Sequence, residues 1–396
     1  MTDYLIVYSV CIIIALIIPS LKYRFDKVLL FSFVAFVLIF FSGFRYYIGW
    51  DFEIYQSLYD AVFYSSDPMM IIHLPQYRDF ELGFRLFSLT ATIEPWMPVL
   101  LSCAFSVGIS FLIMHKSPSR TFGVFILLYL WYEYFSVFNI QRQIIAHAII
   151  LLGLYFTIKN RSKFFIVISA PFAFTLHVSS LLAFTFYFIS LFATDKKIKI
   201  NNFMGLGIVV ISLVLIAIPL DITQFIFKFS VLFLSFFGEI GKHASLKIAY
   251  YFDYLSLYKT GFSFRYFEYI VIFLIATFNF DKISSEIDSE YGKRLFILSL
   301  NISGIHILVY ALLSSLGVIQ ERVESYFLLM HVILCSYVIL AIPATTKIRT
   351  NMQVVVLCML FVFIKYYRLI NSDSYVGADS HYQRFVPYNN IFMGLK

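Results

Sequence analysis

Three arginines lie at the boundaries of long apolar segments, and their side chains are the first candidates for chemistry in this sequence. Arg45 follows one apolar run, Arg142 opens another and Arg322 shortly precedes a third. A guanidinium group stays charged at physiological pH and presents a planar fork that binds phosphate with two hydrogen bonds. Each side chain alone could instead contact a lipid phosphate at the membrane interface. Three arginines at one boundary indicate a shared anionic ligand.

Carboxylates lie beside two of these arginines. Asp51 and Glu53 follow Arg45, while Glu321 directly precedes Arg322. A carboxylate in such a site could orient or deprotonate a hydroxyl group, and the simpler alternative is an ion pair with the neighbouring arginine. Two further acids enter as candidates on the same grounds: Glu324, and Glu133, which lies at membrane depth.

His177, in the stretch "FTLHVSSL", is the histidine best placed for chemistry. Histidine can donate to an oxyanion or accept a proton near neutral pH, although a capping role is equally open. His147, His306 and His331 fall inside apolar runs and are expected to be core residues. No P-loop, GxSxG or dinucleotide fingerprint is present, and no His or Cys spacing indicates zinc, so neither a metal nor a cofactor is expected.

The elements that must position these side chains are transmembrane helices. The 396 residues are 61% hydrophobic and 13% charged, against about 25% charged in soluble proteins. The apolar runs are long and continuous enough to cross a hydrocarbon core of about 30 Å as helices rather than as barrel strands. The net charge of +7 is explained by basic cytoplasmic loops, so nucleic acid is not expected.

Twelve spans are predicted, which makes the chain an all-α polytopic bundle of one integral membrane domain, 1–396. The spans are 4–20, 28–43, 96–114, 121–138, 143–158, 164–176, 178–193, 203–220, 266–280, 295–313, 326–343 and 352–367. The stretch 164–193 is too long for one upright helix, has basic flanks at both ends and contains Pro171, so it is predicted to turn near His177. One tilted helix, and therefore eleven spans, is the alternative.

Orientation follows from lysines and arginines that occur in every second loop, which are predicted to be cytoplasmic. Both termini and two long loops, 45–95 and 221–264, then lie outside, and both loops are expected to carry amphipathic helices. In the first loop, Tyr55, Leu58, Tyr59 and Val62 share one helical face. No basic segment precedes the first apolar run, which is expected to be a retained helix.

The cysteines give no sign of a disulfide framework or a metal cluster. All four fall inside apolar runs: Cys11, Cys103, Cys335 and Cys358.

Five sequence elements resemble those of EpsG-type, Wzy-like polysaccharide polymerases. "FRYYIGWDFEIY", 44–55, is similar to their Arg-x-x-x-Gly-x-Asp-x-x-x-Tyr element, and "NIQRQIIAHAIILLGLYF", 139–156, to their Arg-Gln-x-x-Ala element. "FAFTLHVSSLLAF", 172–184, matches a phrase ending in His-x-Ser. "ERVESYF", 321–327, and "VPYNNIF", 386–392, fall where that family has a late arginine and a Pro-Tyr tail. Trp50 departs from the small or hydroxyl residue that usually precedes the aspartate.

The resemblance implies a metal-independent polymerase at the outer face of the bacterial cytoplasmic membrane, with an architecture similar to C-type glycosyltransferases. Such an enzyme transfers a growing glycan from undecaprenyl pyrophosphate to another lipid-linked repeat unit. The undecaprenyl-pyrophosphate-linked oligosaccharide is the expected partner, and a chain-length regulator protein is left open.

In that chemistry Arg142 and Arg322 are expected to clamp the pyrophosphate, with Arg45 as a third ligand or as an anchor for Asp51. His177 would assist phosphate binding or carry a proton. Asp51 is the first candidate for orienting or deprotonating the acceptor hydroxyl. Secondary candidates for the same site are Glu53, Glu321 and Tyr55.

Other membrane functions remain open at this point. A flippase or transporter of lipid-linked sugars would be expected to show internal repeats and polar groups near the bilayer midplane, whereas the charges here gather at one boundary. An O-antigen ligase shares the mechanism, and a membrane acyltransferase is a more distant alternative. The sugars, their linkage and the class of surface glycan are not encoded in recognisable residues.

Overall fold

The structure is a computed structural model, which describes residues 2–46, 48–49, 52–195, 200–217 and 260–341. It also describes isolated positions between 228 and 249 and positions 364, 367, 388 and 391. Every regular element in this part of the chain is a helix, which confirms the all-helical fold class.

Fifteen α-helices follow one another through the described residues, joined in places by short 3-10 segments. They are α1 (Thr2–Ile17), α2 (Arg24–Gly43), α3 (Phe52–Tyr64), α4 (Pro68–Ile71), α5 (Leu82–Ser88), α6 (Met97–Met114), α7 (Thr121–Tyr132), α8 (Gln141–Asn160), α9 (Phe164–Leu176), α10 (Ser180–Asp195), α11 (Asn202–Ala217), α12 (Phe264–Phe278), α13 (Phe280–Ser285), α14 (Glu290–Leu313) and α15 (Gly317–Val338).

Six segments are long and apolar enough to cross a membrane. They are Asp3–Ser20, Arg24–Gly43, Met97–Met114, Gln141–Asn160, Glu290–Leu313 and Ile319–Ala341. Four shorter apolar helices, α7, α9, α10 and α11, accompany them. The chain is therefore a membrane protein with several spanning helices, while the predicted twelfth span, 352–367, lies almost wholly outside the described residues.

The two helix boundaries that differ most from the sequence prediction, among the described residues, both lie at the same end of the bundle. The span predicted to start at 326 belongs to a helix that begins at Gly317, so Arg322 lies in its second turn rather than before it. Hydropathy misses this turn because its polar side chains bind neighbouring helices; Glu324, for example, is buried and binds Arg265 and Tyr269 of α12. The span predicted to end at 138 stops as an α-helix at Tyr132 and continues as a 3-10 segment.

The stretch 164–193 forms two helices rather than one. α9 ends at Leu176, and α10 begins at Ser180 after a break that starts at His177. The ammonium group of Lys163, next to the start of α9, lies 3.5 Å from the ring centroid of Phe192 near the end of α10. The two helices therefore run back along each other, with His177 at the turn.

One end of the bundle, called the basic end below, carries the short basic loops. Arg120 Nη1 lies 3.6 Å from Glu286 Oε2, and Arg161 Nη2 lies 3.5 Å from Glu290 Oε1. The opposite end, called the loop end, carries the segment 44–96, the α7–α8 connection and the turn at His177. Alternate loops thus lie at opposite ends, as a chain of membrane-crossing helices requires.

At the loop end, α3 packs against the bundle through its apolar face. The side chains of Tyr55, Leu58, Tyr59 and Val62 are all buried. Gly49, in the link between α2 and α3, has φ +115°, and a Cβ atom there would lie 2.0 Å from the carbonyl oxygen of Phe138. Only glycine fits this position, because other residues rarely adopt that φ and any side chain would collide with the α7–α8 connection.

The C-terminal tail returns to the same end. Tyr388 is buried, stacks on Phe41 with ring centroids 4.2 Å apart, and donates its hydroxyl to the Phe41 carbonyl. The backbone N–H of Ile391 donates to the carbonyl of Phe44, at 3.0 Å. Most of the predicted outer loop 221–264 lies outside the described residues.

Candidate functional site

A cluster of three ionisable side chains, Glu81, Arg142 and His177, lies at the loop end. Each comes from a helix terminus: Glu81 is the N-cap of α5, Arg142 is the second residue of α8, and His177 is the C-cap of α9. The side chain of Glu81 does not cap its own helix, and it reaches the other two residues instead. We call these three residues the Arg142 cluster.

The carboxylate of Glu81 binds both partners at once. Arg142 Nη1 donates to Glu81 Oε2 at 2.7 Å, and His177 Nδ1 lies 3.0 Å from Glu81 Oε1. The backbone N–H of Val178 also donates to Oε1, at 3.4 Å. About a fifth of each side chain remains accessible: 22% for Arg142, 19% for Glu81 and 21% for His177. The cluster is therefore ordered by its own contacts and still open to a ligand.

The environment keeps Glu81 ionised. Burial alone would raise the pKa of this carboxyl, but the hydrogen bond from His177 and the positive charge of Arg142 outweigh it and lower the pKa from 4.5 to about 2. In the neutral form of His177, a negative Glu81 favours the tautomer with the proton on Nδ1 and the lone pair on Nε2. The histidine is thus oriented as a proton acceptor.

Two aromatic rings, those of Phe80 and Tyr55, flank the guanidinium group of Arg142. Its Cζ lies 5.0 Å from the ring centroid of Phe80 and 5.9 Å from that of Tyr55, within cation–π range. Arg142 Nε also donates to the Tyr55 hydroxyl at 3.4 Å. Tyr55, a secondary candidate in the sequence, therefore lies directly beside Arg142.

The glutamines on either side of Arg142 fix the first turn of α8. Gln141 Nε2 donates to Ser102 Oγ of α6 at 2.8 Å. Gln143 Nε2 donates to Ser325 Oγ at 2.6 Å and to the backbone carbonyl of Arg322 at 2.7 Å, both in α15. Both glutamines are buried, so the arginine between them is directed toward the cluster.

Arg322 lies on the helix next to Arg142. The hydrogen bond from Gln143 places the Arg322 backbone beside the start of α8, and the Arg322 side chain is exposed. Glu321 is exposed on the same turn, and Glu53 is exposed on α3. Asp51, the first acid candidate in the sequence, lies outside the described residues.

Arg45 occupies a different position from the other two arginines. It is 2% exposed, and its Nη1 donates to the Ser42 carbonyl at 2.7 Å and to Cys103 Sγ at 3.2 Å. Its Cζ also lies 5.2 Å from the ring centroid of Phe138.

The structure therefore brings together Tyr55, Arg142 and His177, places Arg322 on the adjacent helix, and buries Arg45 under the α2–α3 link.

Sequence reasoning missed Glu81. The residue lies in the stretch "RDFELGFRLFSLTATI", 78–93, within the outer loop 45–95, which is expected only to carry amphipathic helices. The sequence did contain a signal for a functional role. Glu81 immediately precedes an apolar helix in an outer loop, where packing does not require an acid. Its partners could not be found from the sequence, since they lie 61 and 96 residues further along the chain.

Two other acid candidates lie on the opposite side of α15. Glu324 Oε1 lies 3.1 Å from Arg265 Nε, and the same carboxylate accepts a short hydrogen bond from the Tyr269 hydroxyl. Glu133 is buried at the end of α7, where the charge of Arg265 acts on it. Arg265, the second residue of α12, is not among the site residues expected from the sequence.

The profile of the EpsG family matches residues 28–390 of the chain. The match spans α2 to the C-terminal tail and therefore includes the Arg142 cluster. No curated protein and no solved structure matches the chain significantly.

Proposed function

Because the chain belongs to the EpsG family, we propose that it is a polysaccharide polymerase acting on lipid-linked repeat units. It transfers a growing glycan from undecaprenyl pyrophosphate to the non-reducing end of another lipid-linked repeat. The reaction takes place at the loop end, which is the outer face of the cytoplasmic membrane, and it needs no metal or cofactor. The observation that carries this proposal is the Arg142 cluster, which presents an oriented guanidinium group and an oriented imidazole side by side.

The chemistry breaks the bond between the anomeric carbon and the pyrophosphate oxygen. Negative charge develops on that oxygen, and a fixed guanidinium group stabilises it without reorganising. Arg142 is held by Glu81, Tyr55 and Phe80 before substrate arrives, so little ordering is needed on binding. Arg322 supplies a second guanidinium group from the adjacent helix.

The acceptor hydroxyl must lose a proton as it bonds to the anomeric carbon. His177 Nε2 takes this proton, and the Glu81 carboxylate at Nδ1 stabilises the imidazolium that forms.

Asp51 remains our candidate for orienting the acceptor, with Glu53 and Glu321 as alternatives. Arg45, which is buried, anchors the α2–α3 link on which Asp51 lies rather than contacting the pyrophosphate.

A deletion strain complemented with variants tests this function. Cells with Arg142→Ala are expected to carry surface glycan of a single repeat, because losing one preorganised donor typically costs 10²–10³ in rate. Arg161→Ala, which removes an exposed arginine at the basic end, is the matched control and should restore long chains. Electrophoresis of the surface glycan is the measurement.

The other functions predict different patterns in the same strain. Lipid-linked repeats that accumulate on the cytoplasmic side would indicate a flippase, and complete chains that stay unattached to their acceptor would indicate a ligase. Normal chain lengths in both Arg142→Ala and Arg322→Ala would contradict the proposed role of these arginines.

A further inference from the structure

A second group of polar side chains lies at the loop end, on the other face of α15 from the Arg142 cluster. We call this group the acidic chamber. Its members are Tyr132, Glu133, Arg265, Glu268, Tyr269 and Glu324.

The Glu324 carboxylate is the most firmly bound part of the chamber. Its side chain is 4% exposed, and its Oε1 lies 3.1 Å from Arg265 Nε and accepts from the Tyr269 hydroxyl. Its Oε2 accepts from Gln320 Nε2 at 2.8 Å. A carboxylate with three partners is a rigid support, and it fixes the guanidinium group of Arg265 in one direction.

Arg265 lies at the accessible edge of the chamber. It is one turn from Tyr269 and two turns from Phe273 on the inward face of α12, and both of those side chains are buried. Arg265 itself keeps 40% of its side chain accessible. Its Cζ lies 5.8 Å from the ring centroid of Tyr132 and 5.9 Å from that of Tyr269. A fixed guanidinium group near two rings is therefore accessible from the surface.

Several buried polar atoms around the chamber lack hydrogen-bond partners among the described residues. Glu133 is 5% exposed, and its Oε2 has no such partner. His306 Nε2 and His331 Nδ1 are in the same condition, and both rings lie 4.5 Å from the ring of Tyr269. Unsatisfied buried polar groups are costly and rare, so these atoms call for hydrogen-bonding partners that the described residues do not supply.

Charge decides which ligand suits each face of α15. The chamber combines the carboxylates of Glu268 and Glu324, and the buried acid Glu133, with the single arginine that the described residues place among them. A diphosphate is repelled by that excess of negative charge. On the other face, Arg142 and Arg322 balance Glu81 and Glu321, which suits an anion far better. A neutral ligand with many hydroxyl groups fits the chamber, because carboxylates and guanidinium groups bind hydroxyls and tyrosine rings pack on apolar sugar faces.

We propose that the acidic chamber binds a sugar ring of the acceptor glycan, while the Arg142 cluster binds the donor pyrophosphate. This inference rests on the proposed polymerase function and divides its two substrates between the faces of α15. The faces are separated by about one helix diameter, roughly 10 Å. Arg265 and Glu133 would hold the acceptor sugar near the start of α15, so that one of its hydroxyls reaches His177 Nε2. That hydroxyl replaces the pyrophosphate oxygen at the anomeric carbon, its proton passes to His177, and undecaprenyl pyrophosphate leaves.

Two soluble probes separate the two sites. One is the repeat-unit oligosaccharide, released by mild acid from the single-repeat glycolipid of the deletion strain, and the other is inorganic pyrophosphate. Calorimetry on the purified full-length protein in lipid nanodiscs measures the binding of each. Glu133→Gln and Arg265→Gln are expected to weaken oligosaccharide binding about tenfold, since each replaces a side chain that would hydrogen-bond to the sugar. Neither variant should alter pyrophosphate binding, whereas Arg142→Ala should weaken only pyrophosphate binding.

Controls keep the outcomes distinct. Arg161→Gln at the basic end should behave as wild type toward both probes, and Tyr269→Phe serves as a milder chamber variant that keeps the ring. Thermal unfolding of each variant identifies any that has lost its fold. The inference is overturned if wild type does not bind the oligosaccharide, or if folded chamber variants bind it normally or lose pyrophosphate as well. Failure of wild type to polymerise lipid-linked repeats would instead contradict the proposed function.

Discussion

The Arg142 cluster depends on the shapes of its side chains as much as on their charges. Arg142 meets a carboxylate with Nη1 and a tyrosine hydroxyl with Nε, and it lies within reach of two aromatic rings. A lysine keeps the charge but offers neither the fork nor the flat face. Arg142→Lys is therefore expected to lose most of the polymerisation rate, by about 10²-fold. The measurement is polymer formed per minute by purified variants, and a rate close to wild type would show that charge alone suffices.

The ionised state of Glu81 has a consequence for stability. Its pKa falls from 4.5 to about 2 on folding, so its contacts stabilise the folded state fully above about pH 4.5. That contribution, about 3 kcal/mol at most, is lost as the pH falls through 2. Thermal unfolding should show wild type more stable than Glu81→Gln near neutral pH, with a difference that shrinks below pH 4.5. Glu53→Gln, at an exposed acid of α3, is the control and should follow wild type at every pH.

Helix packing brings Glu81 to His177. Gly83 lies in α5, and a Cβ atom there would be 2.7 Å from the Thr175 carbonyl oxygen, at the end of α9. The missing side chain thus lets the helix that follows Glu81 lie directly against the helix that ends at His177. Gly83→Val is expected to separate them and to reduce polymerisation strongly. Gly108→Val in α6 is the matched control, because a Cβ atom there has no neighbour within 4 Å.

The sequence predicts which segments form helices better than it predicts which helices contact each other. The apolar runs gave the helices, and the break at His177 followed from helix length and flanking charges. The early start of α15 was missed because its polar residues bind α8 and α12, so hydropathy treated them as a loop. The Glu81–His177 pair and the Arg265–Glu324 pair could not be predicted, since residue spacing does not specify which helices become neighbours.

The proposed function requires the loop end of the protein to face outward and the basic end to face the cytoplasm. Exposed serines allow a matched test: Ser66 lies at the loop end, and Ser285 at the basic end. In a chain with its four cysteines replaced, Ser66→Cys should react with a membrane-impermeant maleimide in intact cells. Ser285→Cys should react only after the membrane is opened. The reverse pattern would place the Arg142 cluster in the cytoplasm.

Metal-independent polymerisation is tested most directly with the purified protein in lipid nanodiscs, supplied only with single-repeat glycolipid and a metal chelator. We predict a ladder of longer lipid-linked chains, with one free undecaprenyl pyrophosphate released for each repeat added. Arg142→Ala should produce no ladder, and Arg161→Ala should produce the wild-type ladder. If the wild-type protein leaves the single repeats unchanged, or moves them across the bilayer without joining them, the polymerase assignment is wrong.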